Sequence, residues 1–340
     1  MTLTGPAAGS STGTKPKPPA PVTRKRISTG EGRLALYLIA PTLIILALVV
    51  GYPVITAVLS SFKKDGGLDP ATGFFNQGGG SAGISNYTHW LLQQCPAPGG
   101  TTAKCPPGTL GSQFWQSMSV TVGFTIVSVI IEAVIGMGMA LMMNRAFKGR
   151  GAVRAAILVP WAIPTAVTAK LWTVIFDPNG IFNKVLGTNY QWTSDKWPAR
   201  AAVIIADVWK TTPFIALLVL AGLQGIGTEL YESARVDGAT AWQRFTKITL
   251  PLVKPALAVA LIFRTLDVLR MYDLPKILTG GANGTSTLSI LVVDQLQQGQ
   301  NSAAALSTIT FIFIFAVAFL MVRILGANIT GAPAKSKGAK

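Results

Sequence analysis

Apolar residues gather into six runs, at 34–61, 117–143, 155–176, 201–222, 256–277 and 303–325. About 20 apolar residues in helical form cross the roughly 30 Å hydrocarbon core of a bilayer. Lipid offers no partner to a free backbone N–H or C=O, so each run is expected to be a helix. The stretch FIFIFAVAFLMV at 311–322 has no polar face to present to water, which argues against a soluble helical core. The pattern predicts an all-α polytopic membrane protein with six transmembrane helices over 33–328 and tails at 1–32 and 329–340.

Composition agrees with lipid as the solvent. Charged residues make up 12% of the chain and mean hydropathy is +0.47, where a soluble globular chain carries about 25% charged residues. The net charge of +16 would suggest nucleic acid in a soluble protein, but here it marks topology. Lys15, Lys17, Arg24, Lys25, Arg26 and Arg33 precede the first run. Four cations follow the second (Arg145, Lys148, Arg150, Arg154), four the fourth (Arg235, Arg244, Lys247, Lys254) and four the sixth (Arg323, Lys335, Lys337, Lys340). Thus 18 of 29 lie on one side. Cytoplasmic loops collect Lys and Arg, so both termini are expected in the cytoplasm of a multi-pass cell-membrane protein, with lipid and no nucleic acid around it. Residues 1–32, rich in Pro, Gly, Ser, Thr and Lys, are expected to be a disordered cytoplasmic tail. They contain no short apolar segment with a small-residue cleavage site, so the first run should remain as an anchor.

The connection at 62–116 then faces outward as an extracellular insert. It holds the only cysteines, Cys95 and Cys105, in CPAPGGTTAKCP. In an oxidising compartment such a pair can form a disulfide, and closing a loop of about ten residues stabilises by about 2 to 3 kcal/mol. Two free thiols are the alternative. His89 lies in the same insert, with no second His or carboxylate cluster to complete a metal site.

The cytoplasmic loop at 225–254 reads as one short helix over 228–246. Thr228 is its expected cap, Glu229 and Glu232 sit at its positive end, and Arg244 and Lys247 at its negative end. Gly238 interrupts it, and Pro251 and Pro255 are expected to end the segment. Leu230, Ala234, Trp242 and Phe245 are left for a partner groove.

This loop resembles the coupling (EAA) loop of permease subunits of ATP-binding-cassette importers. Glu232, Ser233 and Ala234, then Gly238, then Ile248, Leu250 and Pro251 stand at that family's spacings, with Ser233 in place of an alanine. The resemblance implies that Glu232, Ser233, Ala234, Asp237, Gly238, Trp242 and Phe245 dock on an ATPase. It implies two ATP-binding subunits holding ATP and Mg, a second homologous permease subunit, and an extracellular sugar-binding lipoprotein. No G-x-x-x-x-G-K-[ST] pattern occurs here, so this chain should hold no cofactor, and hydrolysis is assigned to partners. A second stretch, Pro160, Pro164, Val167, Trp172, Phe176, Gly180 and Asn183, together with 207–214 and 272–281, resembles maltose-type carbohydrate permeases, especially those of actinobacterial trehalose importers. The long insert departs from that pattern.

Ionisable residues at membrane depth usually face a cavity or one another. Arg264, Asp267, Arg270 and Asp273 fall three residues apart in the fifth run, where neighbours can pair along a helix, and Asp207 and Lys210 flank Trp209 in the fourth. Sugar recognition needs planar polar groups and an aromatic face, which Asp207, Trp209, Lys210, Arg270, Tyr272 and Asp273 can supply. Trp209 and Arg270 are expected to share a cavity. The competing readings are charges that only neutralise one another, a permease for an anionic solute such as glycerol phosphate, and an intramembrane enzyme, which lacks a nucleophile and base at membrane depth.

Overall fold

The computed structural model describes residues 29–68, 74–76, 78–97 and 101–326. The expected tails lie outside the described residues, apart from the start of helix α1 at Thr29. The chain divides into two compact units, residues 1–54 and 55–340.

Four helical stretches among the described residues are long and apolar enough to cross a membrane: Leu36–Ser60, Leu110–Asn144, Lys196–Gln224 and Gln300–Leu325. The first joins α1 (Thr29–Leu46) to α2 (Tyr52–Ser60) through a wide π turn at Ala47–Gly51. A second π turn, at Phe245–Thr249, also comes two residues before a proline, Pro251. A proline ring clashes with the carbonyl four residues back, and a widened turn relieves the clash.

The other two expected spans are broken. Residues 155–176 form a pair, α5 (Arg150–Ala162) and α6 (Thr165–Ile175), bent by 95°. Pro164 causes the break by driving Ile163 into extended backbone, ψ 133°. Counted as one span, the pair raises the number from four to five. Residues 256–277 divide into α11 (Leu250–Leu269) and α12 (Asp273–Thr279), so the fifth run is not one continuous helix. Pro275 in α12 cannot donate to Met271, whose carbonyl accepts instead from Thr287 Oγ1 at 2.8 Å.

The core of the second unit is formed by α4 (Phe114–Asn144), α8 (Lys196–Gln224) and α11. Two glycines bring the backbones close. A Cβ on Gly136 would meet Ile215 at 2.9 Å, and one on Gly222 would meet Ala256 at 2.6 Å, the small-residue contact that membrane helices favour. Trp172, stacked on Phe176 at 5.0 Å, closes a second core beneath α6 and α12.

The insert is folded onto this unit. It carries two hairpins, β1–β2 (Gly67–Leu68, Phe75–Asn76) and β3–β4 (Gln94–Pro96, Thr102–Lys104), with α3 (Ser85–Leu91) between them. Cys95 and Cys105 are joined, S–S 2.06 Å, across β3–β4. His89 Nδ1 lies 3.9 and 4.0 Å from the two sulfurs; bonded to each other, these are not the thiolates a metal takes. Burial holds the His89 imidazole below its ordinary pKa, opposed by its bond to the Gln94 carbonyl. Trp90 is fully buried among Phe114, Leu288, Leu291 and Leu306, and its indole N–H donates to Ser302 O at 3.1 Å.

Asp65 clamps the insert to α14 (Gln300–Met321). The N-cap of α14 is Gly299, which has no side chain to offer, and Asp65 accepts from the N–H groups of Asn301 at 2.6 Å and Ser302 at 2.8 Å instead. A Cβ on Gly299 would collide with that carboxylate. Asp65→Ala should therefore cost about 0.5–2 kcal/mol, the value of a helix cap, and Gly299→Ala a similar amount by displacing the carboxylate. Lower thermal midpoints of the purified protein and faster proteolysis within 62–113 are the expected readouts. Wild-type behaviour in both variants would show that the clamp is dispensable.

Candidate functional site

Glu132 is the one carboxylate in the 31 residues of α4, and it is fully buried. Arg264 of α11, 2% exposed, reaches it with two bonds, Nε to Oε2 at 2.5 Å and Nη2 to Oε1 at 2.9 Å. The same Nη2 donates to Asp207 Oδ2 on α8 at 2.5 Å, and Nη1 to Asp267 Oδ2 at 2.5 Å. One guanidinium thus joins the three core helices. Thr211 Oγ1 lies 2.8 Å from Glu132 Oε1 and 2.6 Å from the Asp207 carbonyl oxygen, so its single proton serves one or the other.

Above this junction opens a cavity of about 320 Å³ lined by Asp207, Lys210, Arg264, Arg270, Tyr272 and Asp273, among others. Both helix breaks face it, through Thr165 at the start of α6 and Met271–Leu274 at the start of α12. Lys210 Nζ donates to Ile163 O at 2.6 Å, satisfying the carbonyl freed by the α5–α6 bend. The sequence-predicted residues Asp207, Lys210, Arg270, Tyr272 and Asp273 therefore come together. Trp209 is not in the cavity lining: its ring packs edge-on against Trp172 at 5.8 Å, because neighbours on a helix point about 100° apart. The nearest aromatic alternatives are Tyr272 and, in an adjoining cavity of about 250 Å³, Trp161, Phe214 and Phe263.

The expected pairing ladder along the fifth run is also revised. Arg264 and Asp267 do pair, but α11 ends at Leu269, so Arg270 and Asp273 do not continue its face. Arg270 Nε donates to Leu266 O at 3.2 Å.

The loop after α8 is two helices, α9 (Thr228–Val236) and α10 (Ala241–Arg244), rather than one. Gly227, not Thr228, is the N-cap of α9. At its other end Gly238 takes φ +76°, with Ala239 N donating to Ala234 O at 2.9 Å and Gly238 N to Arg235 O at 3.1 Å. This paired closure needs a left-handed residue, which glycine supplies without strain. Thr240 and Gln243 then form a reciprocal capping box for α10. The helical path continues from Ala241 through the π turn to Leu269, so Pro251 and Pro255 fall inside α11 and do not end the segment. Glu232, Ser233, Asp237, Gly238 and Trp242 are exposed, while Ala234 and Phe245 are half-buried.

The family described as "Binding-protein-dependent transport system inner membrane component" matches residues 132–331. The chain belongs to this family. It is 37% identical over 302 residues to the trehalose/maltose transport system permease protein MalF of Thermococcus litoralis, covering 86% of this chain and 94% of that one. It is also 37% identical over 304 residues to the trehalose transport system permease protein SugA of Mycobacterium tuberculosis, covering 88% and 91%. A bacterial ABC transporter involved in the import of the acidic polysaccharide alginate has a chain of the same fold, with TM-score 0.68, 24% identity, and coverage of 89% and 97%. These relatives are transport permeases and not enzymes.

The matched region of this inner-membrane component begins at Glu132, the residue that sequence reasoning missed. The signal was available: a lone carboxylate in a long apolar helix demands a cation. Breaking such a buried network by removing one partner costs about 3–5 kcal/mol, so Arg264→Ala should sharply reduce the yield and thermal midpoint of the purified complex. Asp267→Asn should cost under about 1 kcal/mol, because the Asp267 side chain is 66% exposed and solvent screens its pair. Equal losses in the two variants would contradict this ranking.

Proposed function

We propose that this chain is the permease subunit of a sugar importer, admitting a neutral disaccharide of the trehalose and maltose class by alternating access driven by partner ATPases. The observation that carries the proposal is the cavity between two broken helices, whose charges balance: Lys210, Arg264 and Arg270 against Asp207, Asp267 and Asp273. A net-neutral lining of donors and acceptors suits sugar hydroxyls and does not select an anion such as glycerol phosphate. The sugars named for the two 37% identical relatives support the same class.

In this reading Arg264 and Asp207 form the fixed floor, with Glu132 buried behind Arg264 and outside the lining, while Arg270, Tyr272 and Asp273 at the start of α12 contact the solute. Discontinuous helices at the membrane midplane suit transport, since freed backbone groups are tolerated where they line a cavity. A second permease subunit completes the path, and an external binding protein delivers the sugar. Two ATP-binding subunits, carrying ATP and Mg, dock on α9 and α10, with both termini of this chain on their side.

Two measurements test this. ATPase activity of the assembled complex with its binding protein should rise with trehalose or maltose and not with glycerol phosphate; the reverse order would overturn the proposal. Tyr272→Ala and Arg270→Ala should weaken the apparent sugar affinity by about 1–3 kcal/mol, the cost of a buried unmade hydrogen bond, with basal ATPase retained. Separately, Glu232→Lys or Gly238→Trp should abolish sugar-coupled ATPase without lowering the amount of this chain in the membrane. Normal coupling in either variant would move the docking surface elsewhere.

A further inference from the structure

At the end of α8 opposite α9, the first turns of α8 and the outer part of α4 leave a groove of about 240 Å³. Ser119, Gly123 and Val127 line one wall and Trp197, Arg200 and Ile204 the other. A Cβ on Gly123 would meet nothing, so the missing side chain widens the groove. From Trp197 to Ile204 the groove runs about 10 Å at 1.5 Å per residue, less than half of a roughly 30 Å hydrocarbon core.

Its mouth is cationic. Arg200 lines the groove, and Lys196, one turn before it and just outside the lining, also stands near the Trp197 ring, at 5.1 and 5.9 Å respectively. Arg200 Nε donates to Gly284 O at 2.8 Å, which holds the guanidinium while its terminal nitrogens make no hydrogen bond among the described residues. Neither cation has a carboxylate within ion-pair reach among the described residues. Trp197 is 70% exposed, as befits an aromatic residue at headgroup level.

A soluble anion would meet the two cations and leave the apolar groove uncovered. A protein helix filling the groove would have to bring its own carboxylates to the mouth. A phospholipid satisfies both parts with one molecule. We propose that this groove is a binding site for a phospholipid with a net negative headgroup, its phosphate on Lys196 and Arg200 and an acyl chain lying along Gly123 and Val127. The cations supply the attraction to an anionic headgroup, and the groove supplies the preference for a lipid over a free anion.

The test is native mass spectrometry of the assembled complex titrated with phosphatidylglycerol, phosphatidylcholine or inorganic phosphate. The wild type should retain one more phosphatidylglycerol per copy of this chain than Lys196→Ala does, with about a tenfold weaker apparent affinity in the variant. Lys196→Ala keeps the Arg200–Gly284 bond, which still ties the loop at Gly284 to α8. Gly123→Leu, which fills the groove and leaves both cations in place, should release the same lipid. Equal phosphatidylglycerol retention in wild type and both variants would overturn the proposal. So would displacement of the lipid by equimolar inorganic phosphate, which would mean a simple anion site, or a disulfide between Gly123→Cys and a cysteine on the second permease, which would mean that protein fills the groove.

Discussion

A guanidinium at membrane depth is tolerable only when its charge is met, and Arg264 is met by carboxylates from two other helices as well as its own. Glu132 on α4 and Asp207 on α8 have no other cation bonded to them among the described residues, so each helix depends on α11 to keep its charge satisfied. Attraction between unlike charges is strong where water is excluded, and an uncompensated partner there is costly. The register of α4, α8 and α11 is therefore set by one side chain, while Gly136 and Gly222 set how closely those helices approach.

The cavity exists because the helices around this junction are not continuous. Pro164 breaks α5 from α6, and a three-residue break separates the end of α11 at Leu269 from the start of α12 at Asp273. Each break releases backbone groups that lipid could not satisfy, and each is answered by a side chain: Lys210 on Ile163 O, Thr287 on Met271 O. Lys210 is thus partly spent on holding the wall of the site it lines. At the second break Arg270 donates to Leu266 O, while the Tyr272 and Asp273 side chains make no hydrogen bond among the described residues.

At two loops outside the long helices, short polar devices do comparable work. On one, the left-handed Gly238 and the Thr240–Gln243 box turn α9 sharply into α10, exposing Glu232 and Trp242 together. On the other, Asp65 and Trp90 hold the insert against α14.

The sequence by itself determined what depends on composition and local spacing. Four of the six apolar runs fall on continuous helices long and apolar enough to cross a membrane, the Glu232 to Pro251 spacing pointed to the family to which the chain belongs, and the pair in CPAPGGTTAKCP was close enough to be joined. Most of the cavity-lining residues were legible because charge in an apolar run is rare and expensive. Only the tertiary structure decided which charges pair, since Arg264 and Glu132 are 132 residues apart and no local periodicity links them. It also decided that Trp209 turns toward Trp172 while Asp207, two residues away, lines the cavity. That choice is one of rotation about the helix axis, and the partners that fix the rotation lie on other helices, out of reach of any reading along one strand of sequence.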